Sequence, residues 1–394
     1  MKIVSIEPTP SPNSMKLNMD ESLPIGVRRA FAAAERDKAP EPLRGLLAID
    51  GVTGVFHTAD FIALDRHPKG DWQRILREAR GILGESSEFD RQAPAGVGPG
   101  AEGAGDAFGE VTVLVQMFRA IPMQVRVKSG GEERRAALPE RFANAAMEAG
   151  AASPNLITER KLVEHGVRYG ELDDVLAEIV RELEAAYDES RLTELVKEAM
   201  AMTPAEAADP EAAAEAKKPA GHDGTEARAH LAEALQSDDW RVRFAALERF
   251  SPDEEAIPLL ARALDDPQMS IRRLATVYLG DIKTPEVLPF LFRALRDKSV
   301  AVRRTAGDTL SDIGSPEAIG PMLQALQDPN KLVRWRAARF LFEQGDESAL
   351  EGLRAASEDP EFEVRMQIRL AIERIEGGEE AQGSVWQQMT NRDR

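Results

Sequence analysis

The stretch that decides the fold is DDPQMSIRRLA, residues Asp265–Ala275, because it recurs along the last third of the chain. The related phrases are SDDWRVRFAAL, RDKSVAVRRTA, QDPNKLVRWRA and EDPEFEVRMQI. In each phrase an arginine follows an aliphatic residue. These ladder arginines are Arg243, Arg272, Arg303, Arg334 and Arg365, at intervals of 29, 31, 31 and 31 residues. Such a period indicates stacked helix pairs, so residues 225–377 are predicted to form five α-helical repeats.

An aspartate stands six residues before four of the ladder arginines, at Asp266, Asp297, Asp328 and Asp359. Aspartate, often followed by proline, ends one helix and caps the next, since its carboxylate accepts amide protons at the positive helix end. Stacking places equivalent residues in columns. The arginines and aspartates are therefore predicted to pair between repeats as a structural ladder.

A second set of residues in the repeats is predicted to face a partner. Its members lie one, two or five places past a ladder arginine: Arg273, Arg304, Asp308, Trp335, Arg336 and Arg339. An aromatic side chain among arginines suits a protein hot spot or nucleic-acid stacking. The alternative is that Trp335 packs between repeats. Nucleic acid is disfavoured, because the chain has a net charge of −18 and its field repels phosphate.

Composition narrows the chemistry further. The 394 residues suggest two or three domains, and the absence of cysteine excludes disulfides, thiolate zinc sites and cysteine-held iron–sulfur clusters within this chain. The opening residues MKIVSIEPTP lack the apolar core of a signal peptide, and no later run reaches the length of a membrane span. We therefore expect a cytoplasmic location and no membrane contact.

Two tracts poor in large apolar residues are predicted to be flexible linkers, at residues 85–108 and 201–224. They divide the chain into an α+β domain at residues 1–84, a second α+β domain at residues 109–200 and the all-α repeats, followed by a tail at residues 378–394. The expected fold is thus a multidomain chain that ends in a helical solenoid.

The first domain mixes strand and helix signals. Strands are predicted around Ile3–Ile6 and Met15–Met19, and a hairpin joins Val52–Phe56 to Phe61–Leu64. A helix should follow Asp71, its predicted N-cap.

The second domain opens with two predicted strands, Val111–Phe118 and Met123–Val127. From Pro139 onward it is predicted to be helical, and the acidic run Glu171–Asp174 is predicted to begin a helix.

Three family resemblances accompany these patterns. The repeats resemble the HEAT-like type first named from phycobilisome-lyase relatives. The segments Pro8–Asp20, Leu46–Arg66 and Asp71–Leu76 resemble the amino-terminal domain of NifU-like iron–sulfur scaffold proteins. The segments VQMFRAIPMQVRV and Leu138–Gly150 are similar to the middle domain of the conserved virulence factor C family, which combines the same three parts in the same order.

Few residues suggest a catalytic or metal site. His57 and His67 bracket the predicted hairpin and could share a metal with Asp60 or Asp65, but hairpin histidines without a role are commoner, so no metal is predicted. Pro12, Asn13 and Ser14 could bind an anion or metal, or could form a turn, which is the favoured interpretation. No catalytic residue and no cofactor is predicted.

Three functions stay open. The leading hypothesis is a non-catalytic adaptor that binds an unidentified protein partner through the repeats. The second is an accessory factor of iron–sulfur metabolism, implied by the NifU resemblance, that docks cluster carriers or iron through the first domain. The third is an enzyme of the lyase or DNA-glycosylase type, which HEAT-like relatives include.

Overall fold

The computed structural model describes residues 1–9, 11–24, 26–84, 110–153, 155–202 and 224–378. The predicted linker at 85–108, nearly all of the linker at 201–224 and the tail after Gly378 lie outside the described residues. The chain forms two compact units. Unit one comprises Met1–Glu110, Ser129–Glu132 and Leu326–Arg394, and unit two comprises Val111–Lys128 and Glu133–Ala325.

The amino-terminal domain is a five-stranded sheet covered on one face by two helices. Its elements are β1 (Ile3–Pro8), β2 (Ser14–Met19), β3 (Arg28–Ala32), α1 (Leu43–Leu47), β4 (Val52–Thr58), β5 (Phe61–Arg66) and α2 (Trp72–Leu83). The strand order is β1-β2-β5-β4-β3, and the described pairs are antiparallel. The predicted α+β class is confirmed, although the sequence signals missed β3 and α1.

Alternation of side chains builds the core of this domain. Met15, Leu17 and Met19 on β2 are buried beside Ile62 and Leu64 on β5, because every second residue of a strand points to the same face. The predicted hairpin is present, with Val55 opposite Leu64. Asp71 caps α2 as predicted: its carboxylate accepts the N–H of Gln73 at 2.8 Å.

The second domain is a four-stranded sheet with three helices. Its elements are β6 (Glu110–Phe118), β7 (Ile121–Ser129), β8 (Glu132–Ala137), α3 (Glu140–Gly150), β9 (Arg160–Tyr169), α4 (Leu172–Ala186) and α5 (Glu189–Ala201). The strand order is β8-β7-β6-β9. The expectation of continuous helix after Pro139 is wrong, because β9 interrupts it. This strand lies at an edge of the sheet and is mostly exposed, so it lacks the alternating apolar residues that signal a half-buried strand.

The repeats are helix pairs, and most first helices are preceded by a short 3-10 turn. Their helices are α6 (Gly224–Ala234), α7 (Trp240–Glu248), α8 (Ile257–Ala263), α9 (Met269–Ile282), α10 (Leu288–Ala294), α11 (Val300–Ile313), α12 (Ile319–Ala325), α13 (Lys331–Gln344), α14 (Leu350–Ala355) and α15 (Phe362–Glu376). The helices α6 to α12 belong to unit two and α13 to α15 to unit one. The predicted helical array is confirmed.

Each aspartate of the repeated phrase closes the turn before the second helix of its repeat. The carboxylate of Asp266 accepts the N–H of Gln268 at 2.8 Å, and Asp297 does the same for Ser299 at 2.7 Å. In unit one, Asp359 accepts the N–H of Glu361 at 2.8 Å. These bonds satisfy amide groups that a helix start leaves without an intrahelical partner.

The ladder arginines join this turn to the following repeat. In unit two, Arg272 donates through Nη1 to the carbonyl oxygens of Asp266 and Pro267, at 2.8 and 3.1 Å. Its Nε and Nη2 donate to the carboxylate of Asp297 at 2.7 and 3.0 Å. Arg243 binds Asp266 in the same two-pronged way, and the planar guanidinium suits this geometry.

In unit one, Arg334 repeats the arrangement with Asp359, at 2.6 and 3.2 Å. Its Nη1 donates to the carbonyl oxygens of Asp328 and Pro329. One arginine therefore fixes the turn of its own repeat and the carboxylate of the next.

Close packing of α9 against α11 in unit two leaves room only for a glycine at position 280. A Cβ atom added at Gly280 on α9 would lie 2.1 Å from Cγ2 of Thr309 on α11. Gly280→Ala should therefore lower the free energy of unfolding by about 1–3 kcal/mol, as overpacked cores do. Urea unfolding followed by circular dichroism measures this.

The matched control is Gly320→Ala on α12, where nothing lies within 4 Å of an added Cβ. Alanine gains up to about 1 kcal/mol there from its higher helix propensity. Equal stability of the two variants would contradict the close approach of α9 and α11.

Candidate functional site

The positions one residue past the ladder arginines form a set that we call the docking column. They are Phe244, Arg273, Arg304, Trp335 and Met366. Three of them are sequence-predicted partner residues, and the period itself adds Phe244 and Met366. In each unit, members of this column contact a domain that lies elsewhere in the chain.

In unit two, Arg273 reaches the second domain. Its Nη2 lies 3.3 Å from Oε2 of Glu182 on α4, and Arg168 at the end of β9 lies 3.6 Å from the same oxygen. Glu182 is only 4% exposed. Burial raises the pKa of Glu182, but the two guanidinium groups outweigh it, so the pKa is lowered and the carboxylate stays charged.

The buried charges also act on one another. Burial, together with the positive charge of Arg273, lowers the pKa of Arg168 to about 10. Burial, together with the charge of Glu182, raises the pKa of Glu178, one helical turn earlier on α4. These shifts indicate a cluster of charges that is largely removed from water.

One repeat further along, Arg304 binds the second domain through an aromatic residue. Its Nη2 donates to Oη of Tyr169 at 2.9 Å, and the guanidinium lies 4.5 Å from the centre of the Tyr169 ring. Asp308, one turn later on α11, lies 3.1 Å from Arg304. Hydrogen bonding and cation–π attraction thus fix the same pair.

Further contacts in unit two connect α5 with the repeats. Arg191 on α5 donates to the carboxylate of Glu248 on α7 at 2.7 Å. Arg249 lies 3.3 Å from Asp188, the N-cap of α5. Helix α4 itself packs against α7. The second domain and the first repeats therefore share an interface of fixed ion pairs.

In unit one, the last helix of the array holds the amino-terminal domain. Phe362 and Met366 on α15 pack against the core of that domain. Beside them, Glu363 lies 2.7 Å from Arg66 at the end of β5, and both side chains are less than a tenth exposed. Arg66 also donates to the carbonyl oxygen of Gly70 at 2.7 Å.

The predicted Pro12–Asn13–Ser14 motif supports this contact. The indole N–H of Trp72 donates to the carbonyl oxygen of Pro12 at 2.9 Å, and the carbonyl oxygen of Asn13 accepts the N–H of Arg66. The Arg66 guanidinium lies 5.1 Å from the centre of the Trp72 ring. The motif is a turn, as favoured, closed by the hydroxyl of Ser11, which accepts the N–H of Asn13.

The structure places four of the six candidate partner residues inside the protein instead of at a surface. Arg273, Arg304, Trp335 and Arg339 are 7, 2, 1 and 6% exposed. Arg339 donates to Glu343 on its own helix at 2.7 Å. Arg336 is half-buried, and its guanidinium lies 5.3 Å from the centre of the Trp335 ring. Intrachain contacts therefore use the arginines that the sequence assigned to a partner.

Sequence reasoning missed the residues on the other side of these contacts: Glu182, Arg168, Tyr169, Arg66, Glu363 and Phe362. Arg66 and Trp72 lie in the NifU-like segments, but no pattern links them to α15. Nothing in the sequence distinguishes the buried Glu182 from the exposed carboxylates on the same amphipathic helix. Met366 directly follows Arg365, the last ladder arginine, so the repeat period would have identified it.

His57, His67, Asp60 and Asp65, which the sequence analysis weighed as metal ligands, do not form a metal centre in the part of the chain that the structure describes. Among the described residues, no group of three or more His, Asp and Glu side chains is placed to hold a metal ion. His57 is buried on the core face of β4 beside Val55, whereas Asp65 is exposed on the opposite face of β5. Neither ring nitrogen of His57 has a hydrogen-bond partner within the part of the chain that the structure describes.

Burial lowers the pKa of His57, and the positive charge of Arg29 adds to the effect. The folded protein therefore keeps this imidazole neutral at a pH where the same histidine in the unfolded chain, with a pKa of about 6.5, takes up a proton. Lowering the pH from 7.5 to 5.5 should weaken the fold. His57 alone contributes up to about 1.4 kcal/mol to that loss. Urea unfolding across this range should show a flatter pH dependence for His57→Leu.

The matched control is His230→Leu, an exposed position on α6, which should keep the native pH dependence. If His57→Leu kept it as well, His57 would not be the neutral buried group.

The pair Arg66–Glu363 gives a second test. Glu363→Gln leaves the Arg66 charge buried without its counterion and should lower the free energy of unfolding by about 3–5 kcal/mol. Replacing both residues by methionine should recover most of this loss, because a buried ion pair contributes little more than apolar packing of similar volume. Chemical denaturation of the full chain measures both.

Glu351→Gln, at an exposed position on α14, is the control for the charge change. A double variant as unstable as Glu363→Gln would show that the ion pair itself, and not the buried charge left behind, carries the stability.

Three family models match successive parts of the chain. A family model described as Scaffold protein Nfu/NifU N terminal matches residues 4–88, and one described as Virulence factor matches residues 116–196. A HEAT repeats model matches four overlapping segments, at residues 229–306, 257–326, 288–373 and 319–389. Of the helices that the structure describes, none combines the length and apolar character that a membrane crossing requires.

Full-length relatives are known. A protein described as Uncharacterized protein YpgR, from Bacillus subtilis (strain 168), is 52% identical over 99% of this chain and 98% of its own length. Conserved virulence factor C of Staphylococcus aureus (strain MRSA252) is 45% identical, with 100% of both chains covered. Among solved structures, protein SAV1430 of Staphylococcus aureus is 30% identical, covering 21% of this chain and 98% of its own, with a TM-score of 0.20.

Proposed function

This chain belongs to the conserved virulence factor C family, and we propose that it is a non-catalytic cytoplasmic adaptor that binds protein partners through its HEAT-like array. One observation carries the proposal. In each unit, second helices of the repeats already hold a separate domain of the chain by buried ion pairs and apolar contacts. A surface that binds folded domains within the chain has the chemistry to bind folded partners.

The composition supports a binding role over a catalytic one. The array contains no cysteine and, after His230, no histidine. Beyond His230 it therefore lacks cysteine and histidine, which often serve as nucleophiles, general bases and transition-metal ligands. Arginines and buried aromatics, which dominate its column positions, are the residues that anchor protein interfaces.

Site-specific photo-crosslinking in cells tests the proposal on the full chain. A photoreactive amino acid replaces exposed residues on second helices of the array, Val242 on α7 and Val300 on α11, or exposed residues of the amino-terminal domain, Arg36 and Lys69. The adaptor role predicts a reproducible protein adduct from the array positions, identified by mass spectrometry. These surface substitutions should change stability by less than about 0.5 kcal/mol, so folding does not confuse the comparison.

A second candidate is favoured by the match of residues 4–88 to the Nfu/NifU amino-terminal model. The chain would then be an accessory factor of iron–sulfur metabolism whose first domain docks cluster carriers or iron. Without cysteine it cannot ligate a cluster through thiolates. Adducts that form only from Arg36 and Lys69, and that contain a cluster-carrying protein, would favour this candidate and contradict the array as the partner surface.

A further inference from the structure

Helix α4 carries two stripes of buried residues with different neighbours. Val175, Ile179 and Leu183 recur at helical spacing and belong to the core of the second domain. Glu182, Ala185 and Ala186 are also buried, at 4, 3 and 2% exposure, yet Ala185 and Ala186 are not part of that core. Because α4 packs on α7, we assign this second stripe to the side that meets the repeats.

The repeats offer a matching surface. Two small side chains on α4 let helices approach closely, and Glu182 sits against the guanidinium of Arg273 on α9. Ser270, three residues before Arg273 on α9, adds a hydrogen bond to the Glu182 carboxylate. Arg304 on α11 provides the equivalent group one repeat further and binds Tyr169. The surface thus pairs the buried guanidinium of Arg273 with an acidic helix lined by alanine, while Arg304 holds the end of β9 that precedes this helix.

We propose that the face formed by α7 and α9 is a receptor for an acidic, alanine-lined helix, and that α4 occupies it in cis. A partner that presents such a helix must displace α4, so the interface within the chain is an autoinhibitory contact. This inference rests on the proposed adaptor function and specifies which face of the array a partner takes. The charge complementarity between Glu182 and Arg273 selects the occupant.

Spin labels measure whether the contact opens. The chain has no cysteine, so Asp174→Cys on α4 and Glu286→Cys before α10 place one label on each side, both at exposed positions. The native chain should give one narrow distance peak in double electron–electron resonance. Glu182→Arg faces two guanidinium groups and should broaden it, and Glu182→Arg with Arg273→Glu should narrow it again. An unchanged peak in Glu182→Arg would overturn the inference.

A labelled peptide of residues 170–189, which contains α4, supplies the same helix in trans. Fluorescence anisotropy should show at least about tenfold tighter binding to the Glu182→Arg chain than to the native chain, because occupancy in cis lowers the apparent affinity by the fraction of open chains. The same peptide with Glu182→Arg should bind neither chain. Equal binding of the native peptide to both chains, or to neither, would contradict the receptor.

Glu182→Gln keeps the shape of the side chain and is the second opened variant. If Glu182→Arg loses its circular dichroism signal, Glu182→Gln decides between the outcomes in both experiments. The tests also separate this inference from the adaptor role. Adducts from Val242 and Val300 without peptide binding would leave the adaptor standing and remove the receptor. Peptide binding only to the opened chains, without such adducts, would leave the receptor standing and contradict the adaptor role.

Discussion

The structure depends on a guanidinium group that serves two repeats at once. Arg272 binds the backbone carbonyls of its own interhelical turn and the carboxylate of Asp297 in the next repeat, and Arg334 does the same with Asp359 in the other unit. A turn alone would set only the angle within one helix pair. A carboxylate shared between repeats also sets the spacing of consecutive helix pairs within each unit.

The docking column shows how one repeated position serves different contacts. Its arginines in unit two meet a carboxylate and a phenol, whereas Met366 in unit one meets an apolar core next to a buried ion pair. The ladder position is arginine in all five repeats, and Arg243, Arg272 and Arg334 each donate to four acceptor oxygens. The column position differs from repeat to repeat, and Arg273, Arg304 and Met366 each complement the group of the domain that lies against them.

The sequence predicted the fold classes, the repeat period and the hairpin, because each depends on the spacing of residue types along the chain. It predicted the Asp71 cap for the same reason. It missed β9, whose exposed edge position removes the alternation of apolar residues. It also misjudged the exposure of Arg273, Arg304 and Arg339. An arginine beside a charged helix looks identical in sequence whether the guanidinium faces water or a buried carboxylate, and only tertiary structure distinguishes Glu182 from its neighbours.

The buried pair between Arg66 and Glu363 has a consequence for biosynthesis. The two residues are 297 positions apart, at the two ends of a unit whose parts are separated by the whole of unit two. At about 5–20 residues per second, the ribosome needs on the order of tens of seconds to supply Glu363 after Arg66 has been made. During that interval the surface that will receive α15 has no intramolecular partner. Unit one is therefore assembled last, by a contact of high sequence separation, while unit two can complete itself on the nascent chain.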